Sequence, residues 1–238
     1  MTSRSNSRRR LVLSLAALPA ACAAPGTREP IAAPPAPVVR IGDRWTYDAI
    51  NRYNGEQVDT VAHDVVAVAP EIVVRITSDR QPAPREERYR GAWNVTIDHT
   101  YDFVLDFAEP MPLLPPPDAV DRTVVSTTTY RTPTVTGSFG WRQDLRARGW
   151  ERVTVPAGSF ECLRVERLIW FKHPDPFRTA SQRWDTIWYA PAVNRWVQRE
   201  WRGQWFEQMT VFVQPRLPFR EDWVMWRLAS HVPTPVAH

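Results

Sequence analysis

The chain is expected to be all-β: one curved antiparallel sheet, half-barrel or barrel-like, of about eleven to thirteen strands with little helix. Three observations lead there. Apolar residues alternate with polar ones over most of residues 39–228, the period of a strand with one buried face. No long segment repeats its apolar residues at helical spacing. Turn residues recur at short intervals, as in Asn54-Gly55, Pro156-Ala157-Gly158 and Pro191 with Asn194, which suits strands joined by tight reversals.

The elements follow in order. Trp45, Tyr47 and Ala49 alternate with polar neighbours and begin the first strand. Asn54-Gly55 is a two-residue hairpin signal, because both residues tolerate positive φ. Val58 to Val68 is a Val-rich strand, and Ile72 to Ile76 resumes it after Pro70. Residues 80–90 read as a charged loop, and Val95 to Phe107 as one or two strands. Met111 to Asp118 is a Pro-dense connection. Thr123 to Arg131 is rich in β-branched residues and fits a strand. Trp141–Arg146 and Trp150–Val155 read as two strands, and Phe160–Phe171 as a long one. On that long strand Leu163, Val165, Ile169 and Phe171 share a face that Arg167 interrupts. Lys172 to Gln182 is a loop. Arg183–Ala190, Trp196–Arg202, Phe206–Val213 and Trp223–Leu228 complete the sheet.

Composition places the domain within a longer chain. Of 238 residues, 43% are hydrophobic, so a core is affordable in a part of about 200 residues, which buries roughly 70% of its unfolded surface. Formal charge is +4. Four of the 30 basic residues (Arg4, Arg8, Arg9 and Arg10) lie in residues 1–21, where there is no acid; the rest balance the 26 acids. Residues 1–21 have the polar basic start, apolar run and small-residue end of an export signal. The run LVLSLAALPAA is too short to span a bilayer in helix. Residues 22–38 are Ala/Pro-rich and read as an extended tether. Residues 39–238 form the single β-rich domain.

Leu18-Pro19-Ala20-Ala21-Cys22 resembles the lipobox of bacterial lipoproteins, with Pro19 where the pattern usually has Leu. The resemblance implies an acyl chain on Cys22 and, with Ala23 following, outer-membrane sorting. Ordinary cleavage near Ala21–Ala24 is the alternative. Ser7-Arg8-Arg9-Arg10-Leu11 resembles a twin-arginine export signal, so two export routes stand open. Val155-Pro156-Ala157-Gly158-Ser159-Phe160, Trp188-Tyr189-Ala190-Pro191 and Gly42-Asp43-Arg44-Trp45-Thr46-Tyr47 resemble proteobacterial envelope proteins of unknown function. Those are similar in turn to the lipoprotein-carrier half-barrel. The resemblance implies a fold and a compartment and supplies no catalytic residue.

The search for chemistry is short. The five histidines form no HExxH helix and no close pair. His173-Pro174-Asp175 offers an imidazole and a carboxylate on one loop, short of the three or four ligands that a metal needs. No nucleophile elbow, phosphate loop or dinucleotide fingerprint occurs. The expectation is no catalytic residue, no metal and no cofactor, with an unrecognised hydrolase as the remote alternative. Cys162, the only cysteine besides Cys22, reads as a small buried hydrophobe. Nucleic acid is excluded as a partner by export and by near-neutral charge beyond residue 21.

The anomaly is aromatic. Ten of the twelve Trp lie between residues 141 and 226, many beside Arg. Trp170, Trp184, Trp188, Trp196, Trp201 and Trp205 are the ligand-binding candidates. A large aromatic core edged by Arg is one reading. A groove for an apolar or acyl ligand is another, and a face docking on an envelope protein or glycan is a third. The expected function is therefore non-catalytic binding in the envelope, of an apolar molecule or a lipoprotein, with interaction-module docking as the alternative.

Overall fold

The computed structural model describes residues 30–207 and 217–235. Twelve strands form one closed barrel. They are β1 (Arg44–Asn51), β2 (Gln57–Ala67), β3 (Ile72–Ser78), β4 (Arg85–Tyr89), β5 (Asn94–Asp98) and β6 (Leu105–Pro112). Then come β7 (Val124–Thr132), β8 (Val135–Val155), β9 (Gly158–Phe171), β10 (Arg178–Ala190), β11 (Arg195–Glu207) and β12 (Phe219–Val232). Each strand pairs antiparallel with its neighbours in sequence, and β1 closes the ring by pairing with β12. Helix among the described residues is limited to two 3-10 turns, Pro117–Ala119 and Pro191–Val193. Closure gives every strand a neighbour on both sides, although residues 146–155 of β8 run past the end of β7 and pair only with β9. Among the described residues no helix is long and apolar enough to cross a membrane.

Most elements stand where alternation puts them. β10 begins at Arg178, inside the loop expected over 172–182. The strand expected over 206–213 is described only at Phe206 and Glu207, the end of β11, with the rest outside the described residues. Three further differences stand out. The 80–90 stretch contains β4 instead of being wholly loop. Its charges mask the period: Glu87 and Tyr89 point inward and are buried, while Arg88 between them is exposed. The two strands expected over 141–155 are one, β8, because Gly149 at φ +132° lets the strand bend without ending. The β1–β2 turn is longer than two residues. Asn51 N–H bonds to the Glu56 carbonyl, and only Gly55 of the Asn-Gly pair has positive φ.

The two ends of the barrel differ. At the base lie the β10–β11 turn and the segment leading into β1. Asn194, in the left-handed region at φ +54°, accepts the Val38 N–H at its side chain (3.0 Å) and the Trp93 indole N–H at its carbonyl (2.9 Å). Residues 31–38, assigned to the tether on composition, make specific bonds along the domain: Ile31 N–H to Asp121, and Trp150 Nε1–H to the Ala32 carbonyl. The opposite end, the mouth, carries the β5–β6 and β9–β10 loops and the start of β12. The export segment, its arginines and Cys22 lie outside the described residues.

Candidate functional site

The lumen is filled by the protein's own side chains in three layers. At the base, the Arg195 guanidinium sits among indoles, 3.9 Å from the Trp196 ring, 4.4 Å from Trp93 and 5.0 Å from Trp45. It pairs with buried Glu87 at 3.6 Å and donates to His63 Nδ1 at 2.9 Å. That bond requires a neutral imidazole. Burial, then Arg195, hold the His63 pKa well below the usual histidine range. In the middle layer, Asp185 accepts from Arg199 (2.8 Å) and Arg167 (2.6 Å). Burial pushes Asp185 upward, but the two guanidiniums outweigh it and hold its carboxyl below the ordinary value. Gln143 completes this layer by accepting from Arg167 and donating to the Pro112 carbonyl. Toward the mouth, Arg183 lies between the rings of Tyr101 and Trp201, at 3.9 and 5.0 Å.

The outer face of β8–β12 carries a second aromatic array. Trp170, Trp184, Trp188 and Trp223 point away from the lumen and are half-buried. Each has an Arg from another segment over its ring: Arg142 on Trp170, Arg202 on Trp184, Arg164 on Trp188 and Arg52 on Trp223, at 5.3 to 5.9 Å. Two indole N–H groups are held by carboxylates, Trp188 by Glu151 and Trp223 by Glu200. Arg148 and Arg164 share Glu166 at 2.6 and 2.8 Å. Between Trp184 and Trp188 the face sinks into a shallow groove of about 640 Å³, bordered by Arg146, Arg148, Arg164 and Arg202.

The six candidate tryptophans therefore do not converge. Trp170, Trp184 and Trp188 are outside, Trp196 and Trp201 inside, and Trp205 at the rim, where it stacks on Phe219 at 4.4 Å with Arg178 over it. The strand period sorts the outer three. Trp196 and Trp201 differ in parity yet both bury, because the β10–β11 register slips by one residue opposite Trp188–Tyr189. Trp223 and Trp226 do face opposite ways, Trp226 packing inward on Tyr47, His63 and Trp201.

His173, on the β9–β10 loop, is not open to solvent. It is buried against Phe103, and its Nδ1 accepts the Asp175 N–H at 2.9 Å, so the pair closes its own loop. Cys162 is free and buried, and desolvation pushes its thiol up to about 12. Among the described residues no group of three or more His, Cys, Asp or Glu converges as a metal site. Beyond Arg167, which interrupts its apolar face in the sequence, sequence reading missed the inward charges Glu87, Arg183, Asp185, Arg195 and Arg199. Arg183 and Asp185 share the face of Ile187 and Tyr189, as Arg167 shares that of Leu163, Val165 and Ile169. A charge at the buried period was the available signal.

No family model matches the chain, and no curated protein matches it. Two solved structures are similar in backbone. One is a predicted lipoprotein from Parabacteroides distasonis ATCC 8503, at 13% identity and TM-score 0.47, spanning 81% of this chain and 96% of the other. The second is a predicted exported protein with a YmcC-like fold from Bacteroides fragilis NCTC 9343, at 13% identity and TM-score 0.46, spanning 84% and 100%. Both come from Bacteroidetes, not from the proteobacteria whose envelope proteins the sequence motifs resemble.

Proposed function

We propose that the chain is an exported, non-catalytic envelope protein, anchored through acylated Cys22, that docks a partner protein on the outer face of β8–β12. One observation carries the docking role: Trp184, Trp188 and Trp223, outward and each under a guanidinium, line a shallow groove, with Trp170 under Arg142 on the neighbouring strand β9. Trp and Arg are the residue types that dominate binding energy at protein interfaces. With Arg over each ring, the face offers indole edges and forked donors, which suits a protein surface with carboxylates better than a sugar ring seeking a bare indole. The alternative role, binding an apolar or acyl ligand, is confined to the barrel mouth, because the lumen is occupied.

A photo-crosslinking residue in place of Thr186, in the floor of the groove, tests the docking in intact cells. One discrete crosslinked species is expected. Trp184→Ala with Trp188→Ala should abolish it while leaving acyl labelling intact. Cys22→Ala should remove the label and free the domain from the membrane fraction. A crosslink that survives the double substitution overturns the docking face, and unchanged membrane association of Cys22→Ala overturns the anchor.

A further inference from the structure

Among the described residues four buried guanidiniums point into the barrel, and three of them hold a carboxylate. Arg167 and Arg199 hold Asp185, and Arg195 holds Glu87. Arg183 is 3% exposed, and among the described residues no carboxylate stands within ion-pair distance of it. Its two terminal nitrogens reach only the Thr100 carbonyl, at 3.4 and 3.3 Å, and its Nε has no partner. The β11–β12 connection, residues 208–216, contains no acid either. Ring faces of Tyr101 and Trp201 offset only part of the cost of burying a charge. A buried donor without an acceptor calls for an explanation, and a bound group is one.

Space for such a group adjoins it. Arg183, Trp201, Trp205 and Phe219 line a cleft of about 350 Å³ at the mouth. A second cleft of about 560 Å³ adjoins it and shares Thr100, Tyr101, Asp102, Trp201 and Asp222 with the first. Its walls include Val58, Val61, Val224 and Trp226, an apolar surface next to a forked cation. The nearby carboxylates Asp102 and Glu221 make their ion pairs with Arg178, at 3.7 and 4.0 Å; Glu221 also feels the charge of Arg183, but from beyond ion-pair distance. Asp222 and Arg220 border the same cleft with opposite signs. Among the described residues Arg183 is thus a buried cation at the mouth with unfilled donor capacity, beside the unpartnered Tyr101 hydroxyl.

We infer that the barrel mouth binds a small anionic amphiphile, with its carboxylate or phosphate head on Arg183 and its apolar body against Trp201 and Trp226. Two parallel N–H donors of a guanidinium match either head in a bidentate pair. The inference deepens the apolar-ligand reading of the mouth and is independent of the outer docking face.

Calorimetric titration of the full chain, freed of detergent, tests it with four probes: octanoate, octyl phosphate, octan-1-ol and inorganic phosphate. Both anionic amphiphiles should bind at least about tenfold more tightly than the alcohol or inorganic phosphate; which of the two is tighter identifies the head. Arg183→Gln should reduce them to the affinity of the alcohol, and the exposed Arg152→Gln should change nothing. Equal affinity for octanoate and octan-1-ol overturns the role of Arg183 and leaves the apolar reading standing. Inorganic phosphate binding as tightly as octyl phosphate overturns the amphiphile. Binding of none of the probes overturns both readings. Should Arg183→Gln fail to fold, the unaltered chain still decides: its Arg183 Nε–Hε resonance must move on saturation with octanoate, and a stationary signal overturns the assignment.

Discussion

His63 shows how a single buried side chain makes the whole barrel sensitive to acid. It is fully buried, accepts from Arg195, and cannot take a proton without placing two cations side by side. Its folded pKa lies well below 6.5, with burial the main cause. The unfolded chain therefore binds a proton that the folded chain refuses once pH drops below about 6.5. The stability due to a neutral His63 is complete above that value and is lost as pH falls. Between pH 7 and pH 5 this one residue should lower the unfolding free energy by up to about 2 kcal/mol. Urea denaturation at the two pH values checks it, and in His63→Gln the pH dependence should shrink by that amount. Asp185 acts in the opposite range. Its depressed pKa contributes stability above the usual carboxylate region, lost only in stronger acid.

At the scale of elements, the β8–β9 hairpin shows what could be read in advance and what could not. Leu163, Val165, Ile169 and Phe171 were legible as one face, and all four are buried. The turn at Pro156-Ala157 was legible from its residue types. The continuity of β8 was not, since Gly149 reads as a break as readily as a bend; only pairing with β9 on both sides of the bulge decides. Gly149 has open space where a Cβ would go, so substitution there measures backbone strain alone. Gly149→Ala should destabilise by about 1–3 kcal/mol, the usual cost of forcing a side chain into such a conformation. A thermal melt with unchanged Tm would show that the bulge relaxes instead. The tryptophans were harder to place. Period two separates Trp184 and Trp188 from the lumen, but the slip that turns both Trp196 and Trp201 inward arises from pairing with β10. That is a property of two strands and is not written in either one.

For the whole molecule, alternation implied a curved sheet, and closure followed from a contact no local pattern encodes. β1 meets β12 across nearly the full chain, with Arg44 opposite Val232, and the Asp43 carboxylate accepts the Thr234 N–H at 2.8 Å. Arg167 was legible as a charge on a buried face, but which partner an inward charge meets was hidden wherever that partner comes from a strand distant in sequence. Glu87 on β4 and Arg195 on β11 are such a pair.

The seam between β1 and β12 also sets the order of events in making the protein. A chain that leaves the ribosome or crosses a membrane N-terminus first presents β1 long before its second neighbour exists. Until β12 arrives, β1 and the latest strand to form are open edges, exposed to pairing with other chains, and the large sequence separation makes the last pairing slow. Yet the seam is geometrically no different from any other junction. A circular permutant that joins residues 235 and 31 by a short flexible linker and opens the chain at the exposed Pro133–Thr134 turn should regain the same near-ultraviolet circular dichroism and a cooperative melt. Failure of that permutant to fold would mean that the direction in which the strands are delivered, beyond their places around the ring, is part of what builds the barrel.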